Sequence, residues 1–124
     1  QYAYARICSI FRKWGGQRDS LRENFEYLLA DDLSILSNEE LTLSRRLVEF
    51  PSILDDSIST FSPHKLCKHL HSVASSFASF YENCSILKED NVMLSNRRLA
   101  LCDLTARELQ LGLGLMGIGV PERM

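Results

Sequence analysis

Glycine and proline are scarce in this chain, six and three in 124 residues, and the scarcity is informative. No phosphate-cradling P-loop and no nucleophile elbow can be built from what is present. A dinucleotide-binding fingerprint is also missing. Gly112 and Gly114 fall inside a Leu-rich helical stretch with no strand before them, where they suit close helix packing better than a phosphate cradle. Apolar–polar alternation never persists beyond a few residues, so no strand is expected. No apolar run is long enough to cross a bilayer, and no signal peptide is recognisable. There is no internal repeat and no low-complexity tract. The four cysteines, Cys8, Cys67, Cys84 and Cys102, form no Cys-x-x-Cys pair and lie in apolar helical contexts. They are expected to be small buried hydrophobes in a reducing compartment. A strong excess of one charge is lacking too, since the net charge is only −2.

The chain does carry material for a core. At 45% hydrophobic and 24% charged it suits one folded domain over residues 1–124. Its charge is unevenly spread: residues 1–22 balance to +4, residues 23–56 to −7, and residues 57–124 to +1. A phosphate-contacting surface, if there is one, belongs near the first helix. Ordinary solvated faces account for the same pattern. Gln1 enters an apparent helix without a capping residue, so the chain is expected to be a domain excised from a longer protein.

Helical signals follow one another along the sequence. Ala3, Ile7, Ile10 and Trp14 make one stripe from about Tyr2 to Trp14, which Gly15-Gly16 ends. A second helical stretch is expected from about Ser20 to Leu29, with Asp31 to Asn38 reading as a loop. Ser37-Asn38-Glu39-Glu40 fits a capping box. The helix it opens should end at Pro51, itself able to start a short helix to about Thr60. Ser62-Pro63 repeats the N-cap and N1 pairing for a long helix to about Asn83, whose Leu66, Leu70, Val73, Phe77 and Phe80 face inward. After a loop from about Cys84 to Leu94, Ser95 should cap a last helix. That helix is apolar on two sides and hence central, with Gly117 as its stop. The fold class is therefore all-α, a bundle of five to six helices.

Candidate chemistry is sparse. His64, Cys67 and His71 share a helix face but lack a fourth ligand, so no metal site is expected. Asp31-Asp32 and Asp55-Asp56 lack a partnered base, and no catalytic residue is assigned. Tyr2 and Arg6 are more suggestive. They lie one turn apart, off the core stripe, and a ring beside a guanidinium can stack on an unpaired base while the charge meets phosphate. Tyr81 sits at the rim of the long helix. For either tyrosine, an ordinary core-edge position explains the spacing as well.

Several segments, in order, resemble one family. Tyr2-Ala-Tyr-Ala-Arg6-Ile-Cys-Ser-Ile is similar to the opening of the DALR-type anticodon-binding domain of arginyl-tRNA synthetases. Leu47-Val-Glu-Phe-Pro51, Pro63-His-Lys-Leu-Cys67 and Phe77-Ala-Ser-Phe-Tyr81-Glu-Asn-Cys84 resemble its middle. Arg97-Arg-Leu-Ala-Leu-Cys102 and Leu115-Met-Gly-Ile-Gly-Val-Pro-Glu-Arg-Met124 resemble its end. The resemblance implies a helical domain that holds the anticodon loop of arginine tRNA and helps select its central cytosine. By position it implies that Tyr2 and Arg6 shape a base pocket, Tyr81 stacks, and Met124 closes the pocket. Arg12, Lys13, Arg97 and Arg98 become candidates for phosphate contacts, and Tyr4 for an extra one. It further implies a catalytic domain in the same chain as partner, with ATP and magnesium used by the full-length enzyme and no cofactor here. Neither DNA nor a membrane is an implied partner. The implied location is cytoplasmic, with an organellar one left open.

Two other readings compete at this stage. One is a non-catalytic DALR relative that delivers tRNA to a modification enzyme. The other is a helical scaffold that docks protein partners.

Overall fold

The computed structural model describes residues 1–23, 37–119 and 121–122. Among these, five helices and no strand occur, so the domain is all-α. None of the helices is long and apolar enough to cross a membrane. Helix α1 spans Tyr2–Trp14 and buries Ala5, Ile7, Cys8, Ile10 and Phe11. It stops where expected: Gly15 takes φ +72° and returns its N–H to the Phe11 carbonyl at 3.1 Å. A left-handed turn of this kind suits glycine, which has no Cβ to clash. Helix α2, Arg18–Glu23, starts slightly earlier than the predicted second helix and inserts Leu21 into the core. The rest of that prediction, and the loop expected from Asp31, lie almost wholly outside the described residues.

Helix α3, Asn38–Ser59, opens at the predicted cap, with Ser37 Oγ accepting from the Glu40 N–H at 3.1 Å. It does not end at Pro51. The helix runs straight on, although a mid-helix proline forfeits one hydrogen bond and crowds the preceding turn, at about 3 kcal/mol. Tertiary packing offsets that cost. Among the described residues α3 makes the most extensive helix pairing with α4, Pro63–Asn83, and it buries side chains on both sides of the proline: Leu47 and Phe50 before it, Ser57 after it. Phe61, at φ +52°, turns the chain between the two. Pro63 begins α4 as expected, but the Ser62 side chain does not cap it.

Helix α5, Val92–Leu115, begins before Ser95 because Asn91 is its N-cap, with Oδ1 accepting from the Leu94 N–H at 3.2 Å. Ser95 lies inside the helix and donates instead to the Ile86 carbonyl at 2.7 Å, tying down the preceding connection. The first apolar stripe, Leu99, Cys102, Ala106 and Leu109, is buried, as is Leu101 of the second, while Leu104 is only partly so. Beyond that the second stripe surfaces, leaving Leu111 and Leu115 exposed, so α5 is central over only part of its length. Gly112 permits a close approach: a Cβ there would lie 2.7 Å from Leu70 Cδ2. Gly114 has nothing near it. At the end of α5, Gly117 takes φ +76° and donates to Gly114 O at 3.0 Å, while the Ile118 N–H reaches Leu113 O at 2.9 Å. These two bonds make a Schellman stop.

Two expectations need correction. Cys8, Cys84 and Cys102 are buried, but Cys67 faces outward from α4. Burial pushes the Cys102 thiol up, which keeps it a neutral apolar group. Arg97 and Arg98 are not surface cations. They sit on the buried side of α5, 3% and 8% exposed. Arg98 Nε donates to Glu40 Oε1 at 2.9 Å, and Nη1 bonds the Ser85 carbonyl and approaches Glu89 Oε2 at 3.4 Å. Glu40 Oε1, at the N3 position of the capping box, thus accepts from Arg98 and lies 3.4 Å from Ser37 Oγ.

Candidate nucleic-acid interface

The N-terminal half of α1 places Tyr2 and Arg6 one helical turn apart, and packing against α4 brings Tyr81 up to them. Arg6 Nη2 donates to the Tyr2 hydroxyl at 2.7 Å. The guanidinium carbon stands 4.8 Å from the Tyr2 ring centre and 4.4 Å from that of Tyr81. A guanidinium between two rings gains cation–π attraction and is held in one orientation. Phe77 packs behind Tyr81 with ring centres 6.2 Å apart, one turn back on the same helix. Tyr2 is the more accessible ring, 60% exposed against 39% for Tyr81.

This cluster forms one wall of a cleft of about 530 Å³ between α1 and the end of α4. Arg12 and Lys13 line it as well, and among the described residues no carboxylate does. The domain is acidic overall, yet this cleft gathers three cations beside two aromatic rings. Such a combination suits unpaired bases on a phosphate backbone. Ser9 also lines the cleft and was not foreseen, though it could have been. Positions 2, 6, 9 and 13 recur at helical spacing, a polar stripe turned away from the Ile7/Ile10 core face.

The chain's end approaches the same helix. Gln1 Nε2 donates to the Gly119 carbonyl at 2.7 Å, and Arg12 Nη1 to the Glu122 carbonyl at 3.3 Å. Met124 lies outside the described residues. Tyr4 is not part of the cleft; it packs against the core, where burial, with Cys8 adding to it, raises its hydroxyl pKa. Arg18 is committed elsewhere, stacked 4.3 Å from the Phe11 ring centre and paired at 2.8 Å with buried Asp103. His64, Cys67 and His71 stay on the exposed face of α4, and among the described residues no group of three His, Cys, Asp or Glu is set to hold a metal ion. The candidate interface thus comprises Tyr2, Arg6, Arg12, Lys13 and Tyr81; Arg97 and Arg98 are buried and Tyr4 does not line the cleft.

Comparison with known proteins places the chain in a family. A family profile described as DALR anticodon binding domain matches residues 1–124. The chain is 42% identical over 123 residues to the arginine–tRNA ligase of Crocosphaera subtropica and 40% identical over 124 residues to that of Escherichia coli. In each case about the whole chain aligns, 99% and 100%, but it spans only 20% of the relative. Among solved structures, the arginyl-tRNA synthetase of Thermus thermophilus superposes with a TM-score of 0.80 at 30% identity, covering 99% of this chain and 20% of that one. The one from Plasmodium falciparum gives 0.76 at 32% identity, with the same coverage.

Proposed function

The chain belongs to the DALR anticodon binding domain family, and we propose that it binds the anticodon loop of arginine tRNA as one domain of an arginine–tRNA ligase. The observation that carries this reading is the Arg6 guanidinium held between Tyr2 and Tyr81 at the mouth of a cleft lined by Arg12 and Lys13. An unpaired base stacks on the exposed Tyr2 ring while Arg6 offers hydrogen bonds to its edge or phosphate. Arg12 and Lys13 take the flanking phosphates. Met124, carried over from the family's pattern, closes the pocket at the end of the chain.

On this reading the aminoacylation chemistry belongs to a catalytic domain elsewhere in the ligase. ATP and magnesium, which the family resemblance implies for the full-length enzyme, serve that other domain, and no step of the reaction is assigned to these residues. Holding the anticodon loop is a positioning role: it fixes the tRNA so that its acceptor end reaches the reacting centre.

The test is a titration of the chain with a stem-loop carrying an arginine anticodon, followed by backbone amide shifts. Shifts grouped at Tyr2, Arg6 and Tyr81 are expected. Exchanging the central cytosine should weaken binding by about 1–3 kcal/mol if the base is read directly. Silence at low salt, or shifts confined to other faces, would overturn the reading and favour a protein-docking scaffold.

A further inference from the structure

Tyr81 borders two clefts. Beyond the one already described, a second of about 590 Å³ continues past Tyr81 and shares Ile10, Lys13 and Tyr81 with it. Each cleft lies within the size range of small-ligand pockets, about 300–1,000 Å³, so together they have room for more than one base. The far wall of the second is the connection between α4 and α5, which contributes Ile86, Leu87 and Lys88. Of these two clefts Arg6 lines the first and not the second, and it covers the Tyr81 ring from there. The part of Tyr81 that borders the second cleft is left for another occupant.

The lining has the two components that single-stranded RNA requires. Tyr81 and Leu87, each 39% exposed, present apolar surface to a base. Lys13 stands at the junction of the clefts and Lys88 on the far wall. Neither ammonium is in an ion pair among the described residues. Glu82 borders the cleft as well, which leaves the cations in excess. The wall is held in shape from behind: Ser95 Oγ donates to the Ile86 carbonyl at 2.7 Å, and buried Arg98 bonds the Ser85 carbonyl. A wall fixed beforehand lowers the ordering cost of binding.

We infer that this second cleft is a further single-strand subsite, in which Tyr81 and Leu87 take an unpaired base next to the one in the first cleft while Lys13 and Lys88 hold the intervening phosphates. The subsite rests on the RNA-binding reading above. It assigns a contact to Lys88, which no local signal marks.

The experiment compares the chain with its Lys88→Gln variant, each titrated with the arginine anticodon stem-loop across a salt series. Lys88 is exposed, so the substitution leaves the core intact; matched far-UV spectra verify that. Loss of one phosphate contact should reduce the log–log salt slope by about 0.7, equally for RNAs with and without the central cytosine. Stem-loops made abasic at either neighbour of the central base supply the second readout. One of the two should bind the unaltered chain about fivefold or more weakly. An unchanged slope, or two abasic RNAs bound as tightly as the intact one, overturns the subsite while the anticodon reading stands. No binding by the unaltered chain at any salt overturns both.

Discussion

The Arg6 guanidinium lies 4.4 Å from the centre of the Tyr81 ring, although the two residues stand on different helices far apart in the sequence. Arg6 is also hydrogen-bonded to Tyr2, so a single cation joins the N-terminal turn of α1 to the C-terminal turn of α4. Replacing it tests the planar geometry and the charge separately. Arg6→Lys keeps the charge but loses the flat stack and the forked donors. It should weaken binding of the anticodon stem-loop nearly as much as Arg6→Ala. The stability change in urea should stay within about 1 kcal/mol, the scale of an exposed cation–π contact. Full affinity in the lysine variant would mean that charge alone matters.

Two arginine-to-alanine changes should fail in opposite ways. Arg98 is buried against Glu40, so Arg98→Ala leaves a carboxylate uncompensated in the interior and should cost about 3–5 kcal/mol in chemical denaturation. Arg12 is exposed in the cleft, and Arg12→Ala should leave the denaturation midpoint nearly unchanged while lowering RNA affinity and its salt dependence.

The two glycines of α5 offer a matched pair. A Cβ on Gly112 meets Leu70, itself buried and hemmed in, whereas one on Gly114 meets nothing. Alanine favours a helix interior over glycine by about 1 kcal/mol, and forced overpacking costs about 1–3 kcal/mol. Gly114→Ala should therefore raise the melting temperature and Gly112→Ala lower it. Equal shifts of the same sign would contradict the close α4–α5 approach at Leu70.

Glu108 sets a pH dependence. Burial pushes its carboxyl up to about 8, against a smaller lowering by Arg107. Its Oε2 has no hydrogen-bond partner among the described residues. In the unfolded chain the group titrates near 4.3. Between that value and about 8 the folded protein keeps a proton that the unfolded chain has released, so this residue makes stability fall as pH rises through the window. Glu108→Gln should remove the trend. Its unfolding free energy from urea titration should exceed that of the unaltered chain by a margin that grows from pH 5 to pH 8.5, reaching on the order of 1–2 kcal/mol. A margin independent of pH would refute the assignment.

The tail supplies a last contrast. Gln1 and Arg12 hold the carbonyls of Gly119 and Glu122 beside α1. Deleting Glu122–Met124 should lower stem-loop affinity severalfold, while helicity by circular dichroism stays nearly the same. A collapse of helicity would make the tail a structural element.

What could be read in advance was local. The caps at Ser37, Gly15 and Gly117 depend on a few neighbouring residues, and each lies where the sequence places it. The Tyr2–Arg6 pair follows from helical spacing alone. Pro51 and Ser95 misled for a shared reason. Each is a good local boundary signal, and each was overruled, one by the burial of α3 against α4 and the other by a better cap at Asn91. Arg97 and Arg98 looked like surface cations because no short-range pattern reveals a carboxylate at Glu40 or a carbonyl at Ser85. Lys88 went unnoticed because a loop lysine has no periodicity to mark it.

By itself the sequence determined that the chain is helical, where most of its helices start and stop, and which faces are apolar. Those outcomes rest on hydrogen bonds and side-chain contacts within a turn or two. The tertiary structure alone decided which cations are buried and which are presented, and it alone brought Tyr81 to Arg6 and set the 84–91 connection against α1 to make two clefts. Desolvation is the reason. Whether an arginine meets water, a ring or a buried carboxylate depends on which distant segment covers it, and that is settled only when the helices pack.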